Sequence, residues 1–404
     1  MATDEQPRPP RVASILIALL VLVGAFVLPG RSKPIADTER ATVRPSTVPA
    51  PPPSVKAADS SHRSERAQER WPYVYRVIDS SGFIDSGSRS DFQVTLVNLY
   101  LESGADMRFE FVREVSGDIA SFAHERMRAR GIGRETGGRG MLVVYDIAGR
   151  RLRIEVGPGL ERIFPADYVG YVAREELAPF FASGNPVLGV KAMLFIVANR
   201  FRQAALADGL APLSPAAERD SSWLSVGAGA TVPVPISGTL QVPPVSGAIR
   251  ARFAPQPTVA AVHSLYLERL RDRHFEPDLP LFTPNSEGAL RAFPLTRPYA
   301  DFILHSESGQ QYRIVERGDL AILYFTTTPF VSSHLFRRSA AGWQLDLGAE
   351  VRDTREHIGG PYSWEMVPTG DAYLTTFADL FADVGGSLRP KDGDNRPLPV
   401  RKLP

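Results

Sequence analysis

Met141–Val156, MLVVYDIAGRRLRIEV, is the stretch that decides the fold. Met141 to Ile147 is apolar and β-branched, the composition of a strand buried on both faces. Ala148-Gly149 is a tight turn, and Arg151 to Val156 alternates polar and apolar, so it returns as the antiparallel partner. Upstream, Asp106 to Val112 (DMRFEFV) alternates too, with Met107, Phe109 and Phe111 on one face. Between these strands Asp118 to Arg130 has helical periodicity, with Ser116 as N-cap and Gly131 as stop. Strand, helix, strand predicts a right-handed parallel crossover, and the hairpin then adds an antiparallel strand. Ser86 to Ser103 sets Phe92, Leu96, Leu99 and Tyr100 on one helical face; Tyr168 to Ala182 and Pro186 to Ala205 are two further apolar-striped helices. The expected class is α/β: an α/β/α sandwich on a mixed sheet, spanning about residues 71–206.

The hairpin brings the start of strand 141–147 and the end of strand 151–156 to one sheet edge. The loops Gly131–Gly140 (GIGRETGGRG) and Gly157–Asp167 (GPGLERIFPAD) should therefore meet. Gly131, Gly133, Gly140, Gly157 and Gly159 then line a crevice beside Glu155, Glu161 and Asp167. No GK[ST] follows these glycines and no GxGxxG fits, so a nucleotide-binding loop is excluded. Arg134 and Arg139 carry the charge to hold a phosphate or carboxylate, although solvated loop arginines are the commoner case. No GxSxG elbow supports Ser-His-Asp catalysis, and His124 has no second histidine at ligand spacing.

Outside this domain the composition shifts. Val12 to Leu28 is an uncharged, mostly apolar run that as a helix reaches roughly 26 Å, enough for a bilayer core. Its length, and the poor cleavage site after it, favour an uncleaved single-pass anchor (12–29) over a signal peptide. That places the rest of the chain on the periplasmic or extracytoplasmic side of the cell membrane, after a short cytoplasmic N-terminus (1–11). Residues 30–70 are rich in Pro, Ser and charge and read as a disordered spacer. A Gly/Pro linker is expected over 207–257, and a smaller α+β domain over 258–385. That domain begins with a helix over Val259–Asp272, with Val259, Val262, Tyr266 and Leu270 on one face. Strand patterns follow: YADFILHS, QYRIVER, LAILYFTTTPF, and a hairpin across Ser339–Gly342, together a curved antiparallel sheet. His305, His334 and His357 are dispersed and read as structural or surface groups. Residues 386–404 read as a disordered tail. The chain has 404 residues, 46 basic and 45 acidic groups and no cysteine, so disulfides, thiol chemistry and Cys-based metal sites are excluded and no nucleic-acid partner is indicated.

The order VIDSSGFID (77–85), helix, DMRFEFV, SGDIASFAHERMRARGIG (116–133), GMLVVYD (140–146), RRLRIEVGPGLE (150–161) resembles the TPM domain. This is the family of the thylakoid-lumen acid phosphatase, of photosystem repair proteins and of many bacterial envelope proteins. The resemblance implies an α/β sandwich, binding of calcium or another divalent ion, and in some members hydrolysis of phosphate esters at acid pH. Asp79, Gly82, Glu155, Gly157, Gly159 and Glu161 match the family pattern. Gly138 and Arg139 stand where it usually has Asp-Asn, Ala166 stands where it has Asp, with Asp167 one step along, and Arg130 replaces a large aromatic. A weakened metal site of Asp79, Glu161 and Asp167 is what remains, with no cofactor required. The implied function is an accessory or assembly module that meets an envelope protein partner; the alternative is a divalent-metal-dependent phosphatase acting on phosphate monoesters. The tract FRRSAAGWQLDL also resembles the closing strands of cone-shaped, nuclear-transport-factor-two-like domains, which would offer an apolar pocket.

Overall fold

The computed structural model describes residues 76–208, 228–235, 245–358 and 363–395. The expected anchor, the spacer and residues 396–404 lie outside the described residues. Among the described residues, no helix is long and apolar enough to cross a membrane.

The first domain is a five-stranded mixed sheet in the order β1-β2-β3-β4-β5. Its strands are β1 (Val77–Asp79), β2 (Asp106–Val112), β3 (Gly140–Asp146), β4 (Arg151–Val156) and β5 (Gly229–Pro233). β1, β2 and β3 run parallel; β4 and β5 are antiparallel to their neighbours. One face carries Met107, Phe109, Phe111, Met141, Val143, Tyr145, Leu152 and Ile154. It buries the main core under α1 (Ser86–Ser103), α3 (Ala166–Val172), α4 (Ala178–Ala182) and α5 (Pro186–Asp208). The other face packs Leu142 and Val144 against Ile119, Ala123 and Met127 of α2 (Ile119–Ala129). That face also buries four acids, each answered by an arginine: Arg76–Asp106 (2.6 Å), Arg130–Glu110 (3.4 Å), Arg151–Asp146 (2.6 Å) and Arg153–Glu155 (2.6 Å). Removing one partner of such a pair would strand a buried charge.

Local chemistry departs from expectation in three places. Asp85 and Asp118, not serines, cap α1 and α2, each accepting a backbone N–H three residues on (2.9 Å in both). Between α3 and α4 the helix widens into a π-turn, Ala173–Leu177, just before Pro179, which has no N–H to donate. The segment expected as a linker supplies β5 and α6 (Gly247–Arg252), so the sheet is completed by chain from beyond α5.

The second domain holds α7 (Val259–Arg271), α8 (Ser286–Ala292) and α9 (Arg297–Glu307), then two four-stranded antiparallel sheets. β6 (Tyr312–Arg317), β7 (Leu320–Phe325), β8 (His334–Ser339) and β9 (Gly342–Leu345) form a meander, including the hairpin expected across Ser339–Gly342. After α10 (Leu347–Asp353), the second sheet takes β10 (Thr354–Glu356), β11 (Trp364–Met366), β12 (Phe381–Val384) and β13 (Ser387–Pro390), in the order β10-β11-β13-β12. YADFILHS, expected as a strand, is α9: Thr296 Oγ1 accepts from Tyr299 N (3.3 Å), Pro298 sits in the first turn, and Ala300 is fully buried. The expected tail begins with β13, where buried Arg389 lies 4.7 Å above the Trp364 ring. The domains meet through Tyr171 Oη, which donates to Asp301 (2.6 Å), and through the Thr296 hydroxyl on Glu176; within the second domain Arg273 also binds Asp301 (2.5 Å).

The two glycine loops meet backbone to backbone. Gly157 N donates to Gly140 O (2.8 Å) and Gly159 N to Gly138 O (3.1 Å). Gly133 has φ +85°, and a Cβ there would lie 2.5 Å from the Gly140 nitrogen; Gly137 has φ +64° but faces open space. Gly133→Ala is therefore expected to cost about 2–3 kcal/mol and Gly137→Ala only about 1 kcal/mol, as read from urea denaturation midpoints. Equal losses would show that φ alone, and not the close approach, governs this loop.

Candidate functional site

The loop edge is tightly closed. Asp106 Oδ2 accepts from Gly133 N (3.3 Å), while its carboxylate also holds Arg76 and both Nε (3.0 Å) and Nη2 (2.8 Å) of Arg108. Burial opposes ionisation of Asp106, but these arginines and the Gly133 N–H outweigh it and lower its pKa. Arg139 is buried, and its carbonyl accepts from Asp106 N (2.8 Å). Arg134 is exposed on a short turn. Glu161 and Asp167 are exposed beyond the loops, and Asp167 accepts from Tyr168 N (2.9 Å). Glu155 turns to the α2 face and its arginine.

Asp79 is elsewhere, and this corrects the expected ligand trio. It pairs in register with Phe111, which pairs with Tyr145, whereas Gly140 begins β3 at the other end. Tyr145 lies roughly 16 Å along the strand from Gly140. The Asp79 carboxylate accepts from Ser81 Oγ (2.7 Å), Ser81 N (3.1 Å), Phe83 N (3.2 Å) and Ile84 N (2.8 Å). Partial burial raises its pKa, but these hydrogen bonds win and lower it. Asp79 is a turn cap. The structure does not bring Asp79, Glu161 and Asp167 together.

What the fold does assemble is a cavity of about 200 Å³ between α5 and the second domain. Leu188, Phe195, Leu290, Phe293 and Ile303 supply apolar wall; Lys191, Arg269, Glu350 and Glu356 supply charge. Arg269 is 1% exposed, stands 4.7 Å over the Phe282 ring and has no ion pair among the described residues. Burial pushes its pKa down to about 10. Burial also lowers Lys191 and raises Glu356 to about 7.

Behind the cavity wall lies a chain of buried charge. His263 Nε2 (3.3 Å) and His334 Nε2 (3.1 Å) converge on one Glu307 oxygen, and His334 Nδ1 meets Glu350 (3.1 Å), which also accepts from Leu335 N (2.9 Å). Burial disfavours the His334 imidazolium, yet the two carboxylates hold its pKa well above the ordinary range; burial likewise opposes ionisation of Glu307, but His334 and His263 outweigh it and keep Glu307 at about 2. Among the described residues, His263, Glu307 and His334 are the group whose donor atoms converge as metal ligands would, within 4.8 Å. Here the carboxylates and imidazoles already satisfy one another. Of the three histidines read as structural or surface groups, His334 is buried and structural, His305 is exposed and His357 is partly buried. The apolar face of α7 was legible in sequence; His263 and Arg269, which flank it at helical spacing and point inward with it, were not. A polar residue one step off an apolar stripe was the signal available.

The first domain is thus a mixed-sheet α/β fold closed by glycine loops. Residues 77–198 match the family model of the TPM domain, a family that includes phosphatase-like members, and this segment of the chain is a TPM domain. No curated protein matches the chain. Among solved structures, the N-terminal domain of a protein from P. gingivalis is similar at 20% identity and TM-score 0.32, over 34% of this chain and 87% of that one.

The buried Glu176, at the joint between the domains, provides a pH test. Burial raises its pKa from 4.5 to about 8, against the opposing hydrogen bond from Thr296. Folded Glu176 therefore keeps a proton that the unfolded chain releases, so its contribution is full below about pH 4.5 and lost as pH rises to about 8. Glu176→Gln is expected to remove this slope from thermal melts and to be the more stable protein above about pH 8, by on the order of a few kcal/mol. Parallel pH profiles for the two proteins would refute the assignment.

Proposed function

We propose that this protein is an accessory module of the cell envelope, held by a single-pass anchor, whose TPM domain binds and packs rather than hydrolyses. The observation that carries this is the separation of Asp79 from Glu161 and Asp167 across the length of the sheet. A metal that polarises a phosphoryl oxygen and activates water needs several oxygen ligands converging on one point. Between the glycine loops the space is taken by backbone, with glycine and arginine where the family usually carries Asp-Asn. The apolar run at 12–28 and the Pro-rich stretch after it support an envelope location and an envelope protein partner.

Calcium titration of the full chain in detergent is expected to give no saturable heat in the micromolar range. At acid pH, turnover of p-nitrophenyl phosphate should not exceed the blank. Saturable calcium binding that Glu161→Ala removes, with turnover abolished by a chelator, would instead establish the hydrolase alternative.

A further inference from the structure

Arg269 is the one cavity-lining group whose hydrogen bonding is incomplete in a way that specifies a ligand. Its Nε and Nη2, the edge that takes a carboxylate side-on, have no acceptor among the described residues. Arg130, Arg150 and Arg355 leave a buried Nε without an acceptor, but among the described residues only Arg269 leaves both Nε and Nη2 so, and several other arginines use the edge in full. Arg108 engages Asp106 through it, Arg153 engages Glu155, Arg202 engages Glu102 and Arg352 engages Asp353. Glu276 and Tyr266 act on Arg269 only through space. A buried guanidinium without a partner is costly, and a fold keeps one where something outside the chain completes it.

We propose that the cavity between α5 and the second domain binds a small aliphatic monocarboxylate, its carboxylate on Arg269 and its chain along Leu290, Phe293 and Ile303. The edge is covered where it stands, so the proposed binding requires the terminal side-chain torsions to turn it into the cavity that Arg269 lines. Lys191 adds a second cation to the wall. Of the two wall acids, Glu350 is held by His334 and Leu335 N, and Glu356 is raised by burial toward its neutral form. In volume, about 200 Å³ suits a ligand of roughly eight to ten heavy atoms, by comparison with the ~150 Å³ cavity that holds benzene. A bidentate arginine–carboxylate pair inside an apolar wall sets both orientation and charge selectivity.

The test uses octanoate, with octan-1-ol and acetate as the chain-only and charge-only comparators, on the full chain in a detergent to which none of them partitions measurably. Calorimetry should give saturable octanoate binding, with octanol and acetate each weaker by about tenfold or more. Arg269→Met should erase the preference for octanoate over octanol and raise the melting temperature of the ligand-free protein, because it removes an uncompensated buried charge. Ala289→Phe, which fills the cavity with Arg269 intact, should abolish octanoate binding and covers the case of a misfolded Arg269 variant. Equal affinity for octanol and octanoate, absence of saturable binding, or octanoate binding that survives Ala289→Phe would each overturn the proposal.

Discussion

Backbone against backbone at one end of the sheet is the constraint on which the first domain depends. The strand that ends at Val156 and the strand that begins at Gly140 are clasped by amide-to-carbonyl bonds between their loops, at distances no side chain could share. Asp106 fixes the third member of this arrangement, since its carboxylate reaches the Gly133 N–H while two arginines balance its charge. Closure of the loop edge follows from that contact. The same closeness leaves the nearby acids Glu161 and Asp167 outside, in solvent.

The chain handles buried charge in two distinct ways. On the α2 face of the TPM domain, each acid has an arginine, and several of these pairs are two-point forks. In the second domain, a histidine between two glutamates does the same task with neutral-capable groups. Several arginines leave one nitrogen without an acceptor, but the cavity arginine leaves two and has no ion pair among the described residues.

Much of the TPM domain was legible because its signals are local. β2, β3, β4 and their intervening helix show clean periodicities, and the hairpin forces the two glycine loops together, as the structure shows. What failed was long-range. β1 has only three residues and β5 only five, too few to establish a period, and β5 earns its place by pairing with β4 from a stretch of Gly and Pro. YADFILHS has the aromatic and β-branched content of a strand, and its helical state depends on the Thr296 cap and on packing beneath the first domain. The expected metal trio failed for the same reason: Asp79 sits in a matching motif, but strand direction puts it at the opposite end from Glu161. The joint and its cavity had no sequence signature, since their walls join α5 to α7, α8, α9 and residues 347–356, and about fifty residues separate α5 from α7.

The late entry of β5 has a practical consequence for where this protein can be divided. The family match stops at residue 198, and a fragment cut there would look like a whole domain on paper. Yet Arg151–Glu155 would then lose the hydrogen-bonding partner it has in Gly229–Pro233, baring an alternating strand along its full outer side. Such an open border recruits other chains, so a truncated preparation would tend to clump for reasons unrelated to the native molecule. Any recombinant piece meant to represent this domain must therefore extend past residue 235.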